Sequence, residues 1–156
     1  MSADRLAIHR QVTEDEWNWI ESWPTHLDIG NNTVVVHAGF MPGVKLADQQ
    51  DRHKLHIRWV DERLHYVSQY DEWKQPEGCR FWTEVWDGPF NVVYGHAAIS
   101  LSKPRVDVRF DGVTCWGVDT ACVFGGHLSA FILEERRYVQ VKSSGQWAEW
   151  KGPLDP

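Results

Sequence analysis

Two short apolar runs constrain this chain more than any other feature. Thr33-Val34-Val35-Val36 and Phe90-Asn91-Val92-Val93-Tyr94 are continuous and rich in β-branched residues, without the polar alternation of a half-exposed strand. Such runs read as strands buried on both faces, and a chain with two of them must supply layers to cover them. Each run ends in similar punctuation, His37-Ala38-Gly39 after the first and Gly95-His96 after the second. In layered α/β structures the loops diverge beyond the carboxyl ends of the strands and leave a crevice, so imidazoles delivered to those ends can meet. Gly39 and Gly95 beside them would let the backbone turn sharply or approach an ion without a side chain in the way. Alone, either histidine reads as an ordinary strand-end residue bonded to a carbonyl, but the matched frames together point to a site. His9, His26, His53, His56, His65 and His127 lack such a frame and read as surface residues.

The rest of the pattern is consistent with a mixed α/β domain. Thr13 as N-cap, Glu16 closing a capping box and Pro24 as a stop predict a short helix between them. Residues 44 to 76 are polar and irregular, and only HKLHIRWVDERLHYV has mixed helical and strand character. From Arg105 onward, VDVRF, Asp111-Gly112, VTCWGVDT, Gly125-Gly126, LSAFIL and YVQVK predict a β-meander. Residues 1–142 are expected to form one domain, and 143–156, polar with Gly and Pro, a flexible tail.

Charge narrows the function classes. With 16 Lys and Arg against 22 Asp and Glu the formal charge is −6, which disfavours broad binding to nucleic acid or to an anionic membrane face but leaves room for a small anionic ligand. No window approaches the run of about 18 apolar residues that spans a bilayer, and no signal peptide is evident, so a cytoplasmic location is expected. Cys79, Cys115 and Cys122 are odd in number and form no CxxC pair, which argues against a disulfide framework or thiolate zinc site.

VVVHAGFMPG, VVYGH and GVDTACVFGGHLSAFIL, in that order between about Trp17 and Val141, resemble the carboxyl-terminal half of calcineurin-like metallophosphoesterases. The similarity is to the bacterial and fungal branch of the phosphoprotein phosphatase superfamily, which holds symmetrical dinucleoside tetraphosphate hydrolases, polyphosphatases and the phosphatase module of bacterial RNA-repair enzymes. The resemblance implies half of a four-layer α/β/β/α sandwich, with His37 and His96 as ligands of one metal of a dinuclear site. It implies Arg58, in LHIRWVDE, as the phosphate-binding arginine, for which a surface ion pair with Asp61 or Glu62 is the alternative. Asp119 would orient a ligand histidine from behind or simply form a turn, and both roles stay open. The implied cofactors are divalent ions, Mn, Zn, Fe or Mg, and the implied ligand is a phosphorylated substrate.

The amino-terminal motifs of that family, Asp-x-His-Gly, Gly-Asp-x-x-Asp-Arg-Gly and Gly-Asn-His-Glu or Asp, do not occur here. Within the matched part, Ala97 follows His96 where Thr, Asp or Gln is usual, Ala121 replaces a glycine, and His127 stands where Arg or Lys is usual. Two readings follow. One is a metal-dependent phosphoesterase completed by an amino-terminal half, by a protein partner or by a second copy in a homo-oligomer. The other is a non-catalytic scaffold or binding subunit that uses its tryptophan-rich surface for partner contact.

Overall fold

In the computed structural model, residues 3–68 and 74–152 are described, the side chains of 3–5 excepted. Two short helices open the chain, α1 (Ala3–His9) and α2 (Glu14–Glu21). At α2 the Thr13 hydroxyl accepts from the Glu16 amide at 3.3 Å while the Glu16 carboxylate accepts from the Thr13 amide at 2.7 Å, the reciprocal capping box read from the sequence. The hairpin β1 (His26–Asp28) and β2 (Thr33–Val36) follows, then α3 (Asp51–His56), β3 (Trp59–Val60), β4 (Tyr66–Val67), β5 (Arg80–Phe81) and β6 (Asn91–Tyr94). The chain closes with β7 (Val106–Val108), β8 (Thr114–Gly117), β9 (Asp119–Thr120), β10 (His127–Ile132) and β11 (Arg137–Lys142).

A five-stranded mixed sheet in the order β1-β2-β6-β8-β7 carries the architecture. The β2–β6 and β6–β8 pairs are parallel, while β1 and β7 run antiparallel at the two edges. Two three-stranded antiparallel sheets, β11-β10-β9 and β4-β3-β5, complete the strands. The expected central runs are buried: Val34, Val36, Val92, Val93 and Tyr94 belong to the core with Phe40, Ile57, Val60, Phe81, Trp82 and Trp86. Phe40, Trp82, Trp86, Phe90 and Tyr94 interlock mostly edge to face, with ring centroids 5.2 to 5.8 Å apart.

The last third departs from a simple meander. Asp111-Gly112 does turn a hairpin, with Gly112 at φ +86° and the Val113 amide donating to the Asp111 carboxylate. However, β8 passes from its hairpin partner β7 to lie parallel beside β6, and β8 and β9 fall in different sheets. The cause is burial. Cys115, Trp116 and Gly117 are all buried, which suits a central strand, whereas Val106 and Val108 are exposed and suit an edge. From residue 143 the described part of the tail is held by the turn before β10: Trp147 and Ala148 amides donate to the Val123 carbonyl, and Trp150 packs on Phe124. Residues 153–156 lie outside the described ones.

Candidate functional site

Because β2 and β6 are neighbouring parallel strands, their carboxyl ends emerge side by side. Val36 pairs with Tyr94, and the register continues one step further where the Gly95 amide donates to the His37 carbonyl at 2.9 Å. His96, the next residue, takes φ +68°, a left-handed conformation for a non-glycine residue, and the Ala97 amide donates back to the Gly95 carbonyl at 2.8 Å. A bond across one residue with positive φ at its centre is the strained form of γ-turn. Strain of this sort is held by surrounding structure and concentrates at functional sites.

The turn swings the His96 ring onto His37. His37 Nε2 and His96 Nδ1 lie 3.1 Å apart, with ring centroids at 4.9 Å. Arg58, between α3 and β3, donates from Nη2 to the His96 carbonyl at 3.4 Å. The three residues singled out from the sequence are therefore brought together. His56, read from the sequence as a surface residue, joins them: its ring stands edge-on to His96 at 6.1 Å. It sits two residues before Arg58 at the end of α3, and only the packing of α3 against the sheet, fixed by the Ala38 amide donating to the Lys54 carbonyl, reveals its place.

Burial, then the positive charge of Arg58 and the neighbouring His37 and His56, push the His96 pKa down to about 4. At neutral pH its ring is uncharged, with a lone pair available. Its Nε2 is buried without a hydrogen-bond partner. Two Zn–N bonds of about 2.0 to 2.1 Å span up to about 4 Å between nitrogens, so a 3.1 Å pair is within reach of one ion. The imidazoles thus fit as two ligands of a divalent metal. Among the described residues no group of three or more His, Cys, Asp or Glu is placed to hold a metal.

The remaining candidates have visible structural duties. The Asp119 carboxylate accepts from the Ala121 amide at 3.0 Å, the turn-forming one of its two possible roles. Ala121, where the resemblance expects glycine, sits at φ +59° in the left-handed region. Gly39 is required by packing, since a Cβ there would lie 2.3 Å from Trp82 Cε2, whereas a Cβ at Gly95 would meet only the His37 carbonyl oxygen at an ordinary 3.6 Å. His56 is exposed, as read from the sequence, but three other histidines prove less superficial than their surroundings suggested. His26, His53 and His127 are half-buried, and His127 Nδ1 contacts the Leu101 carbonyl at 2.8 Å.

No family model matches the chain. It is 32% identical over 146 residues to the asymmetrical bis(5'-nucleosyl)-tetraphosphatase PrpE of Bacillus velezensis, covering 91% of this chain and 51% of that protein. It is 29% identical to the PrpE of Oceanobacillus iheyensis, covering 88% and 53% respectively. The crystal structure of a candidate diadenosine tetraphosphatase superposes with a TM-score of 0.67 at 21% identity, covering 94% of this chain and 60% of that one. These similarities support a metallophosphoesterase-type family. The chain spans about half the length of the curated relatives it matches. The mixed α/β fold with its five-stranded sheet is the fold of the structural neighbour. No helix among the described residues is long and apolar enough to cross a membrane.

Proposed function

We propose that this chain carries one part of the active site of a metal-dependent phosphoesterase that cleaves oligophosphate esters of the dinucleoside tetraphosphate type. The observation that carries the reading is the convergence of His37 and His96, 3.1 Å apart at the ends of two parallel strands, beside the Arg58 guanidinium. The similarity to bis(5'-nucleosyl)-tetraphosphatases suggests the substrate type.

His37 and His96 would hold the ion, His96 as an uncharged ligand set in place by its γ-turn. A divalent ion bound there supplies Lewis-acid polarisation of a phosphoryl oxygen and lowers the pKa of bound water. Arg58, tied to the His96 carbonyl, presents its fork to the phosphoryl oxygens and takes up negative charge as it develops. His56 holds a third imidazole on the same side. Hydrolysis also requires at least three protein ligands per zinc-like ion and a proton donor for the leaving group. In this reading, residues of an amino-terminal half, a partner chain or a second copy provide them and complete the four-layer sandwich.

The test is metal binding by the chelator-stripped 156-residue chain. Calorimetric titration with zinc or manganese should show one site in the wild type, weakened at least about tenfold by His37→Ala and by His96→Ala, in line with the loss of a ligand. Equal affinity in all three proteins would overturn the reading and leave the non-catalytic binding subunit, to which the exposed Trp19, Trp23, Phe110 and Trp147 would then belong.

A further inference from the structure

Beyond Arg58 lies a cavity of about 300 Å³ lined by Arg52, His56, Arg58, Trp59, Tyr66 and Ser68. Two guanidinium groups and an imidazole face it, and no carboxylate is among its described lining residues. That bias runs against the composition of a chain in which 22 acids outnumber 16 bases. The nearby Asp61 and Glu62 open instead on a separate depression with Arg63 and Glu77. Arg52 is not a loose surface cation: its guanidinium carbon stands 4.8 Å above the Tyr66 ring, and that ring packs against His53 at 5.1 Å. A stacked guanidinium keeps its edge free to donate while its orientation is fixed in advance. Trp59, only 8% exposed, brings an indole N–H that has no hydrogen-bond partner.

His56 and Arg58 belong both to this cavity and to the His37–His96 site, so the two are continuous. We propose that the cavity is an oligophosphate subsite, in which Arg58 and Arg52 successively bind the phosphates that follow the reacting one. The inference rests on the phosphoesterase reading above for the position of the reacting phosphate. A volume at the lower end of ligand pockets accommodates a phosphate chain and leaves a nucleoside outside. Arg52 is therefore the residue that sets the preference for a linear oligophosphate ester over a phosphomonoester. Tyr66 is a positioning residue that acts through Arg52.

Calorimetry on the full, metal-stripped chain tests this without any turnover. Tripolyphosphate and ATP should bind with similar affinity, each at least about tenfold tighter than inorganic phosphate, and adenosine should not bind. Arg52→Gln should weaken tripolyphosphate about tenfold while leaving phosphate and zinc affinities unchanged, and Arg52→Lys should restore part of the loss. Tyr66→Phe should bind as the wild type and Tyr66→Ala less well. Unchanged tripolyphosphate affinity in Arg52→Gln, no preference for tripolyphosphate over phosphate, or adenosine binding as tightly as ATP would each overturn the subsite. Zinc binding insensitive to His37→Ala and His96→Ala would sink the metal reading separately, whatever Arg52→Gln shows.

Discussion

His96 joins three features that seldom coincide in one residue: positive φ, partial burial, and a buried ring nitrogen with no partner. Its depressed pKa has a consequence for stability in the metal-free chain. In the unfolded state the ring protonates near 6.5, whereas in the folded state it stays neutral down to about 4. Between those values the unfolded state binds more protons, so stability rises with pH through this window and falls on acidification. The half-exposed position reduces the effect to on the order of 1 to 2 kcal/mol. Denaturant midpoints in chelator at pH 4.5 and 7 should differ accordingly, and His96→Ala should flatten much of the difference; half-buried His26 and His53, whose pKa values are also lowered chiefly by burial, contribute in the same direction. Gly39 illustrates a different residue-scale constraint. A methyl group there would collide with the fully buried Trp82 indole, which has no room to retreat, so Gly39→Ala should destabilise by about 2 to 3 kcal/mol in urea unfolding.

At the scale of elements, β7 is an edge strand held by charge. Arg105 donates to Asp107 at 2.5 Å and to Glu84 at 2.8 Å, and its guanidinium lies 4.5 Å above the Phe81 ring. Thr83 completes the group by donating to Asp107 at 2.6 Å. Removing the cation leaves two partly buried carboxylates facing one another, so Arg105→Ala should cost about 2 to 3 kcal/mol, and Arg105→Ala paired with Asp107→Ala should cost less than the sum of the two single changes. Equilibrium unfolding of the double-mutant cycle checks this. The same elements show what was legible beforehand. The Thr13–Glu16 box, the Asp111-Gly112 hairpin and the buried β2 and β6 are signalled within a few residues each, because capping, turn chemistry and two-sided burial act locally. The place of β8 is not, since Thr114-Cys115-Trp116-Gly117 reads alike whether its neighbour is antiparallel β7 or parallel β6. The site divides in the same way. His37 and His96 are flagged by their strand ends, while His56 enters only through the packing of α3, and neither the γ-turn at His96 nor the Arg52–Tyr66 stack has a signature in residue order.

For the whole molecule the question is how much catalysis these residues sustain alone. The described residues bring the imidazoles of His37 and His96, the more distant ring of His56 and Arg58 to one place, but no three His, Cys, Asp or Glu among them are arranged to hold a metal. Two ligands leave an ion weakly held, and a site without an acid for the leaving group forgoes the roughly 10²- to 10⁴-fold acceleration of positioned proton transfer. In the proposed reading Arg58 would still assist electrostatically, but on the phosphoryl oxygens and not on the departing group. The 156-residue chain with saturating manganese or zinc should therefore turn over a generic phosphomonoester at least about a hundredfold more slowly than the same chain supplied with the Asp, Asn and His motifs absent from it, as a fusion or as a partner chain. Paired assays of the two preparations, each with its His96→Ala control, decide the matter: robust turnover by the single chain that vanishes in His96→Ala would show that the site is sufficient as it stands.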